Sequence, residues 1–254
     1  MGSGRLAGAV AALSFLLGAA AAATGAPPPT PREILDRVDD IYRGRSSRGT
    51  LAMRVVTEHW ARELRLEFWT EGRERTLLRI LAPAKERGIA TLRTAGGIWN
   101  YLPRVGQVIR LPATMMGASW MGSHFTNDDL VKQSRMSEDY DFSTTFAGER
   151  DGVPVAEITC LPKAKAAVVW GKVLVTVRSD DWTPRSVRYF DEDLAPARTL
   201  AFSGFRQVGD RRIPLAARMS PAGREGEFTE VLFEDLVFDL PIPEGLFSLR
   251  ALRR

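Results

Sequence analysis

Apolar positions change their spacing once along the chain, near residue 45, and that change separates one helix from a long run of strands. Before it, Ile34, Leu35, Val38, Ile41 and Tyr42 recur at helical spacing, with Glu33, Asp36, Arg37, Asp39 and Asp40 read onto the other face. A Pro-rich leader from Pro27 to Pro31 precedes this helix, and Gly44 marks its end. From Thr50 the period is two. Leu51, Met53 and Val55 alternate with Ala52 and Arg54, and Leu64, Leu66 and Phe68 alternate with Glu63, Arg65 and Glu67. The second set describes a half-buried strand, apolar on one face and charged on the other. Further strands are expected at 77–81, 89–94, 98–102 and 107–111, then a short helix at 127–133. Strands resume at 142–150, 155–161, 172–178, 185–190, 199–208, 213–219 and 227–238. Turn signals such as Gly96-Gly97, Asp151-Gly152, Asp180-Asp181 and Gly209-Asp210 separate many of them.

About a dozen antiparallel strands with so few helices, and no internal repeat or linker, describe a barrel or sandwich. A sheet of that size must curl or split to avoid open edges. Strong bending encloses a lumen, and the few helices can plug its mouth.

Arg5 precedes an apolar run at 6–23, and small residues follow at Ala21-Ala22-Ala23 and Thr24-Gly25-Ala26. Residues 1–26 therefore read as a secretory signal peptide, cleaved after Ala23 or Ala26, which places the mature protein in the periplasm. An uncleaved anchor is the other reading, because the run reaches the lower edge of a membrane span. The mature chain, 27–254, reads as a single β domain. Its one cysteine, Cys160, permits no internal disulfide and sits in a strand pattern as a small buried hydrophobe. The balance of 35 basic against 31 acidic residues does not describe a nucleic-acid binder, since the arginines are scattered.

The segment from Pro112 to Leu130 stands apart. Met115, Met116, Trp120, Met121 and Phe125 are mounted among glycines and small residues, a composition suited to re-packing around variable apolar partners. Its far end is a helix start. Thr126 can cap, Asp129 lies three residues on, and Phe125 and Leu130 hold the staple positions.

Met121-Gly122-Ser123-His124-Phe125, followed by Asp128-Asp129-Leu130, resembles the bacterial outer-membrane lipoprotein-sorting family, the Lol-type periplasmic carriers. His124 stands where that family tends to carry an acidic residue. The resemblance continues in Glu86-Arg87-Gly88, Ile98-Trp99-Asn100-Tyr101-Leu102-Pro103, Val108-Ile109-Arg110-Leu111 and Leu161-Pro162-Lys163. It closes with Thr183-Pro184-Arg185, Arg212-Ile213-Pro214 and Phe247-Ser248-Leu249. It implies an incomplete, strongly curved antiparallel β-barrel of about 11–12 strands, with an N-terminal helix and a short helical lid around an apolar cavity.

Such a cavity suits acyl chains. Each methylene removed from water gains about 0.8 kcal/mol, so a chain of about fifteen gains at most roughly 12 kcal/mol. The expected ligand-binding residues are Leu64, Leu66, Phe68, Trp99, Tyr101, Met115, Met116, Trp120, Met121 and Phe125. The expected function is a non-enzymatic, monomeric carrier of lipid or acylated protein cargo, with no cofactor. Its partners would be an inner-membrane transporter and an outer-membrane acceptor, with transient membrane contact. The alternative is a periplasmic lipid or lipoprotein sensor acting through a protein partner; such sensors usually carry an added domain or anchor. Ser119, Ser123, His124, Asp128 and Asp129 contain the residue types of a hydrolase triad, but their spacing does not form a nucleophile elbow. The two histidines, His59 and His124, lack metal-ligand spacing, and no phosphate-binding loop is present.

Overall fold

In the computed structural model, which describes Met1 and residues 29–132, 136–166 and 168–253, each of the expected strands forms. The segment read as a signal peptide, beyond Met1, lies outside the described residues. Helix α1 spans Pro31–Asp40. The Thr30 side chain accepts from the Glu33 N–H at 3.3 Å, while the Glu33 carboxylate accepts from the Thr30 N–H at 2.7 Å. That reciprocal pair and Pro31 at the first helical position explain why the helix starts there.

The first run of strands is β1 Ser46–Val56, β2 Ala61–Glu71, β3 Arg75–Ala82, β4 Ala90–Thr94, β5 Gly97–Leu102 and β6 Gln107–Arg110. The second is β7 Tyr140–Arg150, β8 Val153–Pro162, β9 Lys172–Arg178, β10 Pro184–Phe190, β11 Pro196–Val208, β12 Arg211–Pro221 and β13 Phe228–Phe238. Among the described residues thirteen strands form, slightly more than the resemblance implied, because every alternating segment keeps its own turn. At one such turn Asp151 and Gly152 adopt φ of 52° and 72°, the mirror-image turn that matches strand twist.

All thirteen strands belong to one antiparallel sheet in the order β6-β5-β4-β3-β2-β1-β13-β12-β11-β10-β9-β8-β7. The first and last strands thus pair at its centre, Met53 opposite Val231, and the mid-chain strands β6 and β7 are its two edges. The sheet is curled and unclosed. Close approaches bend it. At Gly49 a Cβ would lie 2.2 Å from the Asp235 carbonyl and 2.8 Å from the Phe68 ring, beside a register shift at Thr50/Leu51. At Gly204, with φ of +66°, β11 skips a pairing position against β12.

Between the edges lie residues 111–132 and 136–139, which carry α2 Asn127–Lys132 and α3 Met136–Asp139. α2 matches the expected short helix; residue 133 lies outside the described residues. The concave face, α1 and this segment share two apolar clusters, one around Ile34, Leu35, Ile158 and Val175, the other around Leu51, Leu66, Phe68 and Trp120. A third cluster lies on the convex side, where α4 Leu249–Leu252 covers Leu77, Ala90 and Leu92 with Leu252. Cys160 is fully buried in the first cluster, as expected of a small hydrophobe.

Candidate functional site

Curling leaves a cavity of about 240 Å³ between the concave face, α1 and the crossing segment. Leu66 and Phe68 of β2, Val187 and Tyr189 of β10, and Val231 and Phe233 of β13 form its wall. Leu35, Val38, Ile41 and Tyr42 line it from α1 and the turn after it, while Trp120, Phe125 and Met136 line it from the crossing segment. Tyr42 is fixed there by stacking on Phe233 at 4.4 Å between ring centroids and by donating to the Pro214 carbonyl at 2.8 Å.

The crossing segment acts as a lid because its own bonds shape it before it meets the sheet. The Trp120 N–H donates to the Phe125 carbonyl at 2.7 Å and the Ser123 hydroxyl to the Trp120 carbonyl at 2.7 Å, closing a tight loop. Thr126 and Asp129 then form the reciprocal cap expected from the sequence, at 2.6 and 3.2 Å. Several contacts pin the lid down, among them a bond from Arg62 of β2 to the Met121 carbonyl. Trp120 is buried and its indole N–H donates to Thr91 of β4 at 3.3 Å. The His124 backbone N–H donates to the Thr229 hydroxyl at 2.9 Å, and its imidazole lies 3.3 Å from Glu227. The bond from His124 is the main cause holding the Glu227 carboxyl below the usual range. Asp129 meets Arg198 of β11 in a buried pair, at 2.8 Å, and Arg198 also donates to the His124 carbonyl at 3.0 Å. The guanidinium sits 4.3 Å from the Trp170 ring centroid and 4.4 Å from that of Tyr189.

One end of the cavity is polar. Asp36 and Asp40 hold Arg73, at 3.2 and 2.9 Å, but Asp39 faces the cavity and makes no hydrogen bond or ion pair among the described residues. Burial pushes its carboxyl up to about 8, against the opposing pull of Arg43 and Arg73. Arg43 also lines the cavity, and among the described residues its guanidinium makes one hydrogen bond, to the Arg73 carbonyl at 3.3 Å. This corrects the placement of Asp39 on the solvent face of α1. Positions 35, 38, 39 and 42 share a face at helical spacing, so the pattern already held this residue.

Of the ten residues expected to bind ligand, the structure brings Leu66, Phe68, Trp120 and Phe125 together in the cavity wall. Leu64 and Met121 pack in the adjoining core rather than on the cavity. Met115 is 44% exposed and Met116 half-buried, on the outer part of the lid. Trp99 and Tyr101 pack elsewhere, in the convex cluster beneath α4. Register explains that: Phe68 pairs with Leu78 on the inner face, whereas Trp69 pairs with Leu77, Leu77 with Leu92 and Leu92 with Trp99 on the outer. The triad residue types have other engagements. The Ser119 hydroxyl donates to the Ser123 carbonyl, His124 faces Thr229 and Glu227, and Asp129 faces Arg198.

The model of a family described as an uncharacterized protein matches residues 72–254, from the β2–β3 turn through α4. The chain belongs to that family. Solved structures share its architecture over nearly their whole length. A LolA superfamily protein from Nitrosomonas europaea superposes with a TM-score of 0.74 at 21% identity, covering 88% of this chain and 99% of that one. A structure named as an outer membrane lipoprotein-sorting protein domain, from Vibrio parahaemolyticus, gives 0.74 at 22% identity, covering 87% and 97%. A DUF1329 family protein from Desulfovibrio piger gives 0.78 at 20% identity, covering 87% and 96%. The chain thus has the lipoprotein-sorting, LolA-type fold that its sequence resembles. No curated protein sequence matches it.

Proposed function

We propose that the mature chain, 27–254, is a monomeric periplasmic carrier that shelters acyl chains of a lipoprotein or another lipid between the inner and outer membranes. The observation that carries this reading is the apolar cavity closed by a lid that spans the two free edges of the sheet. A lid held to the wall at a few points can release without dismantling any strand pair, so loading leaves the sheet intact. The fold shared with lipoprotein-sorting proteins supports the same reading, and the residues proposed to meet the acyl chain are Leu66, Phe68, Trp120 and Phe125 of the cavity wall. A donor transporter in the inner membrane and an acceptor at the outer membrane complete the proposed route. Among the described residues no helix is long and apolar enough to cross a membrane.

Native mass spectrometry of the protein purified from a bacterial periplasm, followed by organic extraction, tests the proposal. Co-purified lipid or acylated peptide is the expected result. A clean apo mass, together with failure to take up a fluorescent acyl probe, would overturn it.

A further inference from the structure

The cavity has a direction. Trp120 and Phe125 close one part of it, whereas Asp39, Arg43, Thr70 and Thr76 gather near the β2–β3 turn, where Thr70 pairs with Thr76. A cavity wall does not ordinarily leave a carboxyl without a hydrogen bond beside a guanidinium using one of its five donors. The neighbouring acids do not supply the missing partner, because Asp36 and Asp40 are engaged by Arg73.

We infer that this end is a head-group site, and that the cavity takes a single-chain amphiphile with a carboxylate head, a long-chain fatty acid. The inference rests on the carrier reading and narrows its cargo. Three features select this class. The guanidinium fork matches a planar carboxylate and can bind it through two parallel N–H donors. Asp39, kept protonated by its surroundings, offers an O–H donor to the same anion, whereas a cationic head would require it to ionise in an apolar site. The volume suits one chain: 240 Å³ lies at the small end of ligand pockets, which begin at about 300 Å³. The head lies between Arg43 and Asp39, and the tail runs along Phe68 and Phe233 toward Trp120.

The test compares dodecanoic acid, 1-dodecanol and dodecylamine as displacers of neutral 1-aminoanthracene from the delipidated mature protein. The expected result is binding of dodecanoate about tenfold tighter than dodecanol, with dodecylamine weakest. Arg43→Met should bring dodecanoate down to the dodecanol level and leave dodecanol unchanged, and Arg43→Lys should recover only part of the preference. Equal binding of acid and alcohol by the wild-type protein would overturn the head-group assignment while leaving the acyl cavity standing. Tighter binding of the amine would overturn it in favour of an ionised Asp39. Uptake of none of the three, nor of the probe, would remove the carrier reading itself. The wild-type comparison decides the matter even where Arg43→Met does not fold.

Discussion

Arg198 of β11 grips Asp129 of α2 across the mouth of the sheet, at 2.8 Å, and both side chains are buried. The pair joins the lid to the wall formed by the second run of strands, while Trp120 and Thr91 join it to the first. Removing one partner strands a charge in the interior, so Arg198→Ala or Asp129→Ala should cost about 3–5 kcal/mol in denaturant unfolding. Limited proteolysis should cut the 111–132 segment faster in either variant. The replacement of both by apolar residues, Arg198→Met with Asp129→Leu, should recover much of the loss. A loss below about 1 kcal/mol for the single variants would mean the pair does not hold the lid.

Cavity residues and convex-side residues should separate cleanly by substitution. Ala217 lines the cavity, and Ala217→Phe fills free space, so acyl-probe uptake should fall at least about tenfold with the melting temperature little changed. Trp99 packs away from the cavity, so Trp99→Ala should destabilise by about 3 kcal/mol while the remaining folded protein binds the probe normally. The reverse pattern would place the binding surface on the convex side.

Asp39 makes stability depend on pH in a direction opposite to that of most carboxylates. Its ordinary value of 3.8 governs the unfolded chain, and about 8 governs the folded one. Between those values the folded state keeps a proton that the unfolded state has released. Folding stability contributed by this group is therefore full below about pH 4 and is lost as pH rises toward 8. Asp39→Asn should raise the melting temperature at pH 8 by about 3 °C or more and leave it nearly unchanged at pH 4. Equal effects at both pH values would show that the carboxyl titrates normally.

Cys160 should be chemically silent. It is fully buried, and burial pushes its thiol up to about 12. Alkylation by iodoacetamide at pH 8 should be undetectable in the native protein over an hour and complete after denaturation. Rapid native labelling would indicate an open route into the core.

The strand pattern was legible because period-two alternation survives wherever one face is wet, as in β2 with Glu63, Arg65 and Glu67 outside and Leu64, Leu66 and Phe68 inside. The reading weakened where both faces are covered. Trp99 and Tyr101 were expected in the cavity because aromatic alternation names a buried face without saying which one, and here α4 buries the outer. The Thr126–Asp129 cap was local and so was read correctly. Arg198 left no comparable trace, since its partner lies far away in sequence and an arginine on a strand usually faces water. Asp39 did leave a trace in its helical phase, but an acidic residue beside Glu33, Asp36 and Asp40 on α1 reads as part of a polar face.

Pairing of β1 with β13 at the centre of the sheet has a consequence for how the molecule comes into being. Strands β2 to β6 can zip onto β1 by successive hairpins, and β7 to β12 can do the same among themselves, but the two halves join only through the last strand. Such long-range closure is slow compared with hairpin formation. A chain emerging N-terminus first therefore carries two greasy half-troughs and no enclosed interior until β13 arrives. No ligand can be enclosed before that strand arrives, and each nascent copy passes through an interval in which its concave walls need shielding from other chains.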